Sequence, residues 1–120
     1  MAQHTASISA TLIRDAKNVT ELDDWGPCPE ATGHQMDTRG AYLWQDGKGA
    51  ESGIWECTAG PSRWVLETNE FVHVISGSMT ITADDGEAQF VGPGDTVFLP
   101  RGWSGNWELH ETLRKLYVIF

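Results

Sequence analysis

Glu70 and His73 stand three residues apart in "EFVHVISG", among Phe71, Val72, Val74 and Ile75. A carboxylate and an imidazole can move protons, hold a divalent ion or orient a polar ligand. They are also awkward groups for a strand, and a fold can tie them down with a hydrogen bond or an ion pair. Side chains alternate along an ideal strand, so positions 70 and 73 face opposite ways unless a bulge intervenes. Other ligand-type side chains are Glu56, Glu67, Glu108 and His110. Arg114 and Lys115 interrupt the apolar closing run "ETLRKLYVIF". A buried cation there needs an acid such as Glu56, Glu70 or Glu108, or the carboxylate of a small anionic ligand. Cys28 in "GPCPE" and Cys57 in "GIWECTAG" have no CxxC spacing, so they read as buried structural thiols rather than a zinc site.

The elements that would position these groups are strands. From Gly53 onward, short alternating apolar runs are separated by turn residues every eight to twelve positions, the pattern of a sandwich or barrel. Asp85-Gly86 lies between Met79-Ile81-Ala83 and Ala88-Phe90 and predicts a hairpin with a type I′ turn. The run 113–120 is apolar on both faces, as in a strand covered on both sides. Upstream, "SISATLIR" (7–14) predicts a first strand, residues 17–40 a long irregular wrap, and "AYLWQDG" a short strand. Residues 1–52 are thus expected to be an N-terminal strand and wrap belonging to the same domain as a core at 53–120.

Composition excludes several functions. The chain has 120 residues, enough for one domain with a core that needs no disulfide staples. Asp and Glu total 17 against 8 Lys and Arg, a net charge of −9. Neither nucleic acid nor an anionic membrane is an expected partner, since both need a basic footprint. The opening "MAQHTASISA" lacks the basic and apolar regions of a secretory signal, and the expected location is the cytoplasm.

Two spacings identify a family. Glu70 is followed by six residues and Gly77; Gly94 is followed by five residues and Pro100-Arg101-Gly102. These resemble the two motifs of cupin barrels. The phrases "GIWECTAG", "EFVHVISG", "PRGWSGNW" and "RKLYVIF" resemble the third cupin subfamily, which includes ureidoglycine aminohydrolases and relatives of an ethanolamine-utilisation protein. The resemblance implies an all-β, double-stranded β-helix (jelly-roll) cupin barrel, single domain. It also implies a pocket in the barrel mouth and a homodimer, which we expect to form through edge strands.

Metal-dependent cupins hold one divalent ion with two His and a Glu from the first motif and a His from the second. The resemblance places the first-motif His positions at Trp64 and Leu66, or Arg63 and Val65, and the second-motif His at Gly105. Of four ligands only Glu70 remains. The aminohydrolase set would put its first-motif ligands at Trp64, Leu66 and Glu70, and fails likewise. No cofactor is therefore expected; the alternative is a metal-assisted aminohydrolase-like enzyme that holds Mn, Fe, Ni or Zn with a non-standard set.

Glu70, at the position that points into such a barrel, is then a candidate general acid or base. Equally, it is a carboxylate held by Arg63, Arg101, Arg114 or Lys115. His73 is a candidate catalytic partner, or else a core or dimer-interface histidine. Trp55, Glu56, Arg63, Trp64, Trp103, Trp107 and Lys115 are the candidate pocket residues, the indoles being either pocket walls or core. The expected function is binding of a small polar metabolite without the usual mononuclear metal.

Overall fold

A computed structural model describes residues 9–120 and contains ten strands in two antiparallel sheets. In chain order they are β1 (Asp23–Pro27), β2 (Asp37–Gln45), β3 (Glu51–Cys57), β4 (Gly60–Val65) and β5 (Glu70–Ser76). There follow β6 (Met79–Ala83), β7 (Ala88–Val91), β8 (Thr96–Leu99), β9 (Ser104–Leu109) and β10 (Leu113–Ile119). One sheet has the order β1-β2-β3-β10-β5-β8, the other β4-β9-β6-β7. This is the all-β jelly roll that the motifs imply. Among the described residues no helix is long and apolar enough to cross a membrane.

The closing run becomes β10, paired on one side with β3 and on the other with β5. A central strand has a neighbour on each edge and side chains to place on both faces, which explains its double apolar pattern. The core lies between the sheets, where Cys57, Val72, Val74, Met79, Leu99, Trp107, Leu109 and Leu113 are fully or almost fully buried. Burying one indole such as Trp107 removes roughly 200 Å² from water, a gross gain of roughly 5 kcal/mol.

Three local expectations change. The part of the predicted first strand that is described, residues 9–14, forms no strand, and positions 7–8 lie outside the described residues. The predicted wrap contains β1, which pairs with β2 from Asp23↔Gly40 to Pro27↔Asp37 with an irregularity around Gly26. Gly, Pro and acidic residues hid this edge strand. It tolerates them because only one side of its ladder needs partners. The β6–β7 hairpin forms, but not with a type I′ turn. Gly86 N–H donates to the Ala83 carbonyl at 3.0 Å, and none of Asp84, Asp85 and Gly86 has a positive φ. Gly77, by contrast, has φ +80°, and a Cβ there would meet the Thr112 carbonyl at 2.2 Å.

Candidate functional site

The two sheets point β3, β5 and β10 side chains at those of β4 and β9. Glu70, Val72 and Val74 face inward from β5, as do Leu113, Lys115 and Tyr117 from β10; all six are buried. Glu70 pairs with Ile119 and Lys115 with Val74, so the two charges start two same-face steps apart on neighbouring strands. The long lysine stem closes that gap. Lys115 Nζ donates to Glu70 Oε2 at 2.5 Å, with the two side chains 4% and 5% exposed.

Aromatic faces complete the ammonium's surroundings. Lys115 Nζ lies 4.4 Å from the Trp55 ring centre, 4.7 Å from that of Trp107 and 5.7 Å from that of Tyr117. Trp64 stacks on Trp107 at 4.5 Å, while Trp55 meets both edge-on at 6.3 and 6.4 Å. The electron-rich ring faces stabilise a cation that has lost its water, and the more so in a desolvated site. Trp64 Nε1 donates to Ser62 Oγ at 2.7 Å, and that hydroxyl donates to the Trp107 carbonyl at 3.2 Å, so the stack is held in orientation. Tyr117 O–H donates to Glu51 Oε2 at 2.7 Å; burial first, then this bond, pushes the phenol well above its ordinary range. The indole N–H of Trp107 is buried and, among the described residues, has no hydrogen-bond partner.

A cavity of about 80 Å³ opens between Trp55, Trp64, Glu70, Lys115, Tyr117 and Ile119. Among the described residues Glu70 Oε1 accepts no hydrogen bond, while Oε2 is taken by Lys115. The site therefore combines a buried ion pair, a carboxylate oxygen with spare capacity and walls of indole and phenol. Such a surface can orient a small molecule by one polar group and exclude water from the rest of it.

Of the pocket candidates, Trp55, Trp64, Trp107 and Lys115 come together around Glu70. Trp103 is half-buried, with its ring over Gly105, where a Cβ would meet it at 2.7 Å. Glu56, Arg63 and His73 do not join them. Glu56 lies on the outer face of the larger sheet between Arg39 and Arg114, the latter at 2.8 Å. Burial alone would raise the Glu56 carboxyl; hydrogen bonds from Arg39 and Arg114 outweigh it and hold the group below the usual range. Arg63 is exposed and paired with Asp84, whose carboxyl is drawn down to about 2 by Arg63 and then Ser104. His73 faces outward from β5, with Nδ1 at 3.1 Å from Thr96 Oγ1. The irregularity that β5 does contain falls beyond Val74, where Arg114 pairs with Ser76 and Lys115 with Val74, too late to turn His73 inward.

The thiols are elsewhere in the core. Cys28 Sγ–H donates to Glu30 Oε1 at 3.5 Å; the neighbouring Cys57 thiol holds the Cys28 thiol below its ordinary range, while Cys28 and then burial push the Cys57 thiol up. Glu108 and His110 are exposed, and His110 Nε2 sits 2.8 Å from Thr80 Oγ1.

The residues at the metal-ligand positions do not fit a divalent ion. Trp64 and Leu66 pack against the core, and Gly105 has no room for any side chain: a Cβ would come within 2.3 Å of the Thr82 carbonyl. Among the described residues no three His, Cys, Asp or Glu side chains converge as a metal shell. Glu70 meets an ammonium instead.

Tyr117, Ile119 and Ser62 were not singled out from sequence. Tyr117 had a readable signal, being two residues from Lys115 on the same face of the last strand. Ser62 and Ile119 had none, since only the opposing sheet gives them a role.

Residues 44–117 match the model of the EutQ-like cupin domain. The chain belongs to that family. A DUF861 family protein from Thermotoga maritima is 33% identical, with TM-score 0.54 over 56% of this cupin and 76% of that chain. The Clostridium difficile EutQ protein is 22% identical, with TM-score 0.61 over 71% and 68%. A protein of unknown function in the DUF861 family, from Pseudomonas syringae pv. tomato, has TM-score 0.77 at 21% identity. That match covers 87% of this cupin and 46% of the other chain, so this cupin spans about half its length. No curated protein matches.

Proposed function

We propose that this cupin binds a small polar metabolite in the cavity beside Glu70, without a mononuclear metal centre. The observation that carries the reading is the Lys115–Glu70 pair, buried among indoles with one carboxylate oxygen left to accept. Burying an ion pair is seldom favoured over an apolar filling of the same shape. Its retention beside a cavity therefore supports a polar ligand. The ligand offers a donor to Glu70 Oε1, and a planar or apolar part to the faces of Trp55 and Trp64. A cavity of about 80 Å³ admits only a few non-hydrogen atoms, or one end of a longer molecule.

The test is titration with a panel of small amides, hydroxy acids and amino alcohols, read by tryptophan emission. Three of the six tryptophans surround the site, so occupancy changes their emission. The expected result is saturable quenching or a spectral shift in the wild type, lost in Glu70→Gln. A response equal in both proteins would remove Glu70 from the site, and a panel without any saturable response would count against the reading as a whole.

A further inference from the structure

We infer that Lys115 sets the charge specificity of the cavity: its ammonium occupies the place that a cationic ligand would take, and so restricts the ligand to a neutral molecule. This rests on the ligand-binding reading of the same cavity given above.

The groups around Lys115 are those of a cation cage. The ring centres of Trp55, Trp107 and Tyr117 lie 4.4, 4.7 and 5.7 Å from Nζ, all within the range over which a ring face attracts a cation. The Glu70 carboxylate supplies the opposite charge at 2.5 Å. Aromatic faces gathered around one carboxylate are what alkylammonium ions bind to. Here the chain provides the ammonium itself. The Lys115 backbone is fixed in β10 between Trp55 of β3 and Val74 of β5, and its stem ends in the cage. Among the described residues Nζ donates to Glu70 alone, and ring faces make up much of its remaining surroundings.

With its own ammonium inside, the cage is electrically neutral. Lys115 and Glu70 line the cavity, and among the described residues no other charged side chain does. Glu51, which accepts from the Tyr117 hydroxyl, lies outside that lining. A third charge in a space of about 80 Å³ would be desolvated without a partner of its own. A cation would meet the Lys115 ammonium. An anion would meet the Glu70 carboxylate, in a chain whose net charge is −9. A neutral hydroxyl or amide avoids both penalties. It donates to Glu70 Oε1, which accepts no hydrogen bond among the described residues, and its oxygen can accept from the ammonium. The ligand class is thus a small neutral alcohol or amide, with its apolar part against Trp55 and Trp64.

Titrations of tryptophan emission with acetamide, propan-1-ol, acetate and propylammonium, matched in size and held at constant ionic strength, test this. In the wild type the two neutral probes should bind at least about tenfold more tightly than either ion. In Lys115→Ala the ammonium is gone and Glu70 keeps its charge, so the order should reverse. Propylammonium should then bind at least about tenfold more tightly than the neutral probes, and should raise the melting temperature of this variant saturably. Should Lys115→Ala not fold even with propylammonium present, the wild-type series decides alone. An ion bound by the wild type as tightly as acetamide would overturn the assignment, as would a folded Lys115→Ala that still prefers the neutral probes. Either result leaves the ligand-binding reading standing. Silence of the wild type toward both neutral probes would overturn the assignment as well, and the reading itself falls only if the wider panel is silent too.

Discussion

Lys115→Met tests the physics on which the site depends. The substitution keeps an unbranched stem in the core and removes the ammonium, so Glu70 remains 5% exposed with no cation beside it. It also removes the charge that lies over Trp55 and Trp107. Breaking a buried pair from one side costs about 3–5 kcal/mol, because the surviving charge is left desolvated and unpaired. In a chain of this size each kcal/mol moves the melting temperature by roughly 3–5 °C, so Lys115→Met should melt roughly 10–20 °C below the wild type. The double variant Lys115→Met/Glu70→Leu removes both charges and should recover most of that loss, since apolar replacement of a whole buried pair is commonly neutral or stabilising. Urea denaturation and thermal melts of the four proteins in the cycle give the coupling energy. A single variant within about 3 °C of the wild type, or a double variant as unstable as the single, would refute the reasoning. The first result would mean that the ammonium and carboxylate are well hydrated and uncoupled; the second would mean that the loss does not come from leaving the Glu70 carboxylate unpaired.

Other perturbations separate the remaining parts of the argument. Glu56→Gln should cost about 2–4 kcal/mol near neutral pH by loosening Arg114 and Arg39. Because the folded Glu56 carboxyl lies below its ordinary value, its stabilisation is complete above about pH 4.3. It is lost as pH falls through the folded value, so urea melts should converge for wild type and Glu56→Gln only on the acid side; a gap constant down to pH 2 would contradict this. Gly105→Ala should destabilise by several kcal/mol or fail to fold, because a Cβ would lie 2.3 Å from the Thr82 carbonyl and 2.8 Å from Ala83 Cα. Gly86→Ala should change stability by less than about 1 kcal/mol, since φ is not positive there and the nearest atom to a new Cβ is Ala83 Cβ at 3.3 Å; a loss of several kcal/mol would restore the type I′ turn. Elemental analysis after dialysis should find substoichiometric Mn, Fe, Ni and Zn, and one equivalent of any of them would revive the aminohydrolase-like alternative.

Much of this architecture is local and therefore legible in the chain. Alternation marked strands, Asp85-Gly86 marked a hairpin, and the spacings Glu70 to Gly77 and Gly94 to Gly102 marked the family. Those signals act over a few residues, through side-chain direction and backbone freedom. The short edge strand β1 was not legible, because an edge tolerates the Gly and Pro that normally argue for a loop. Nor was the exact turn at Asp84–Gly86, because Gly permits a positive φ without requiring one.

By itself, the sequence indicated that Glu70 and His73 face opposite ways unless a bulge intervenes, that the positions where the resemblance puts metal ligands hold Trp64 and Leu66, or Arg63 and Val65, together with Gly105, and that Arg114 and Lys115 need anions. Only the tertiary structure decided which anion each receives: Glu56 for Arg114 on the outer face, Glu70 for Lys115 inside. Neighbours in sequence went to opposite sides of one strand, and their partners came from β3 and β5, about sixty and forty-five residues away in the chain. Strand pairing over such separations depends on which faces can be buried together, and no short stretch of the chain contains that information.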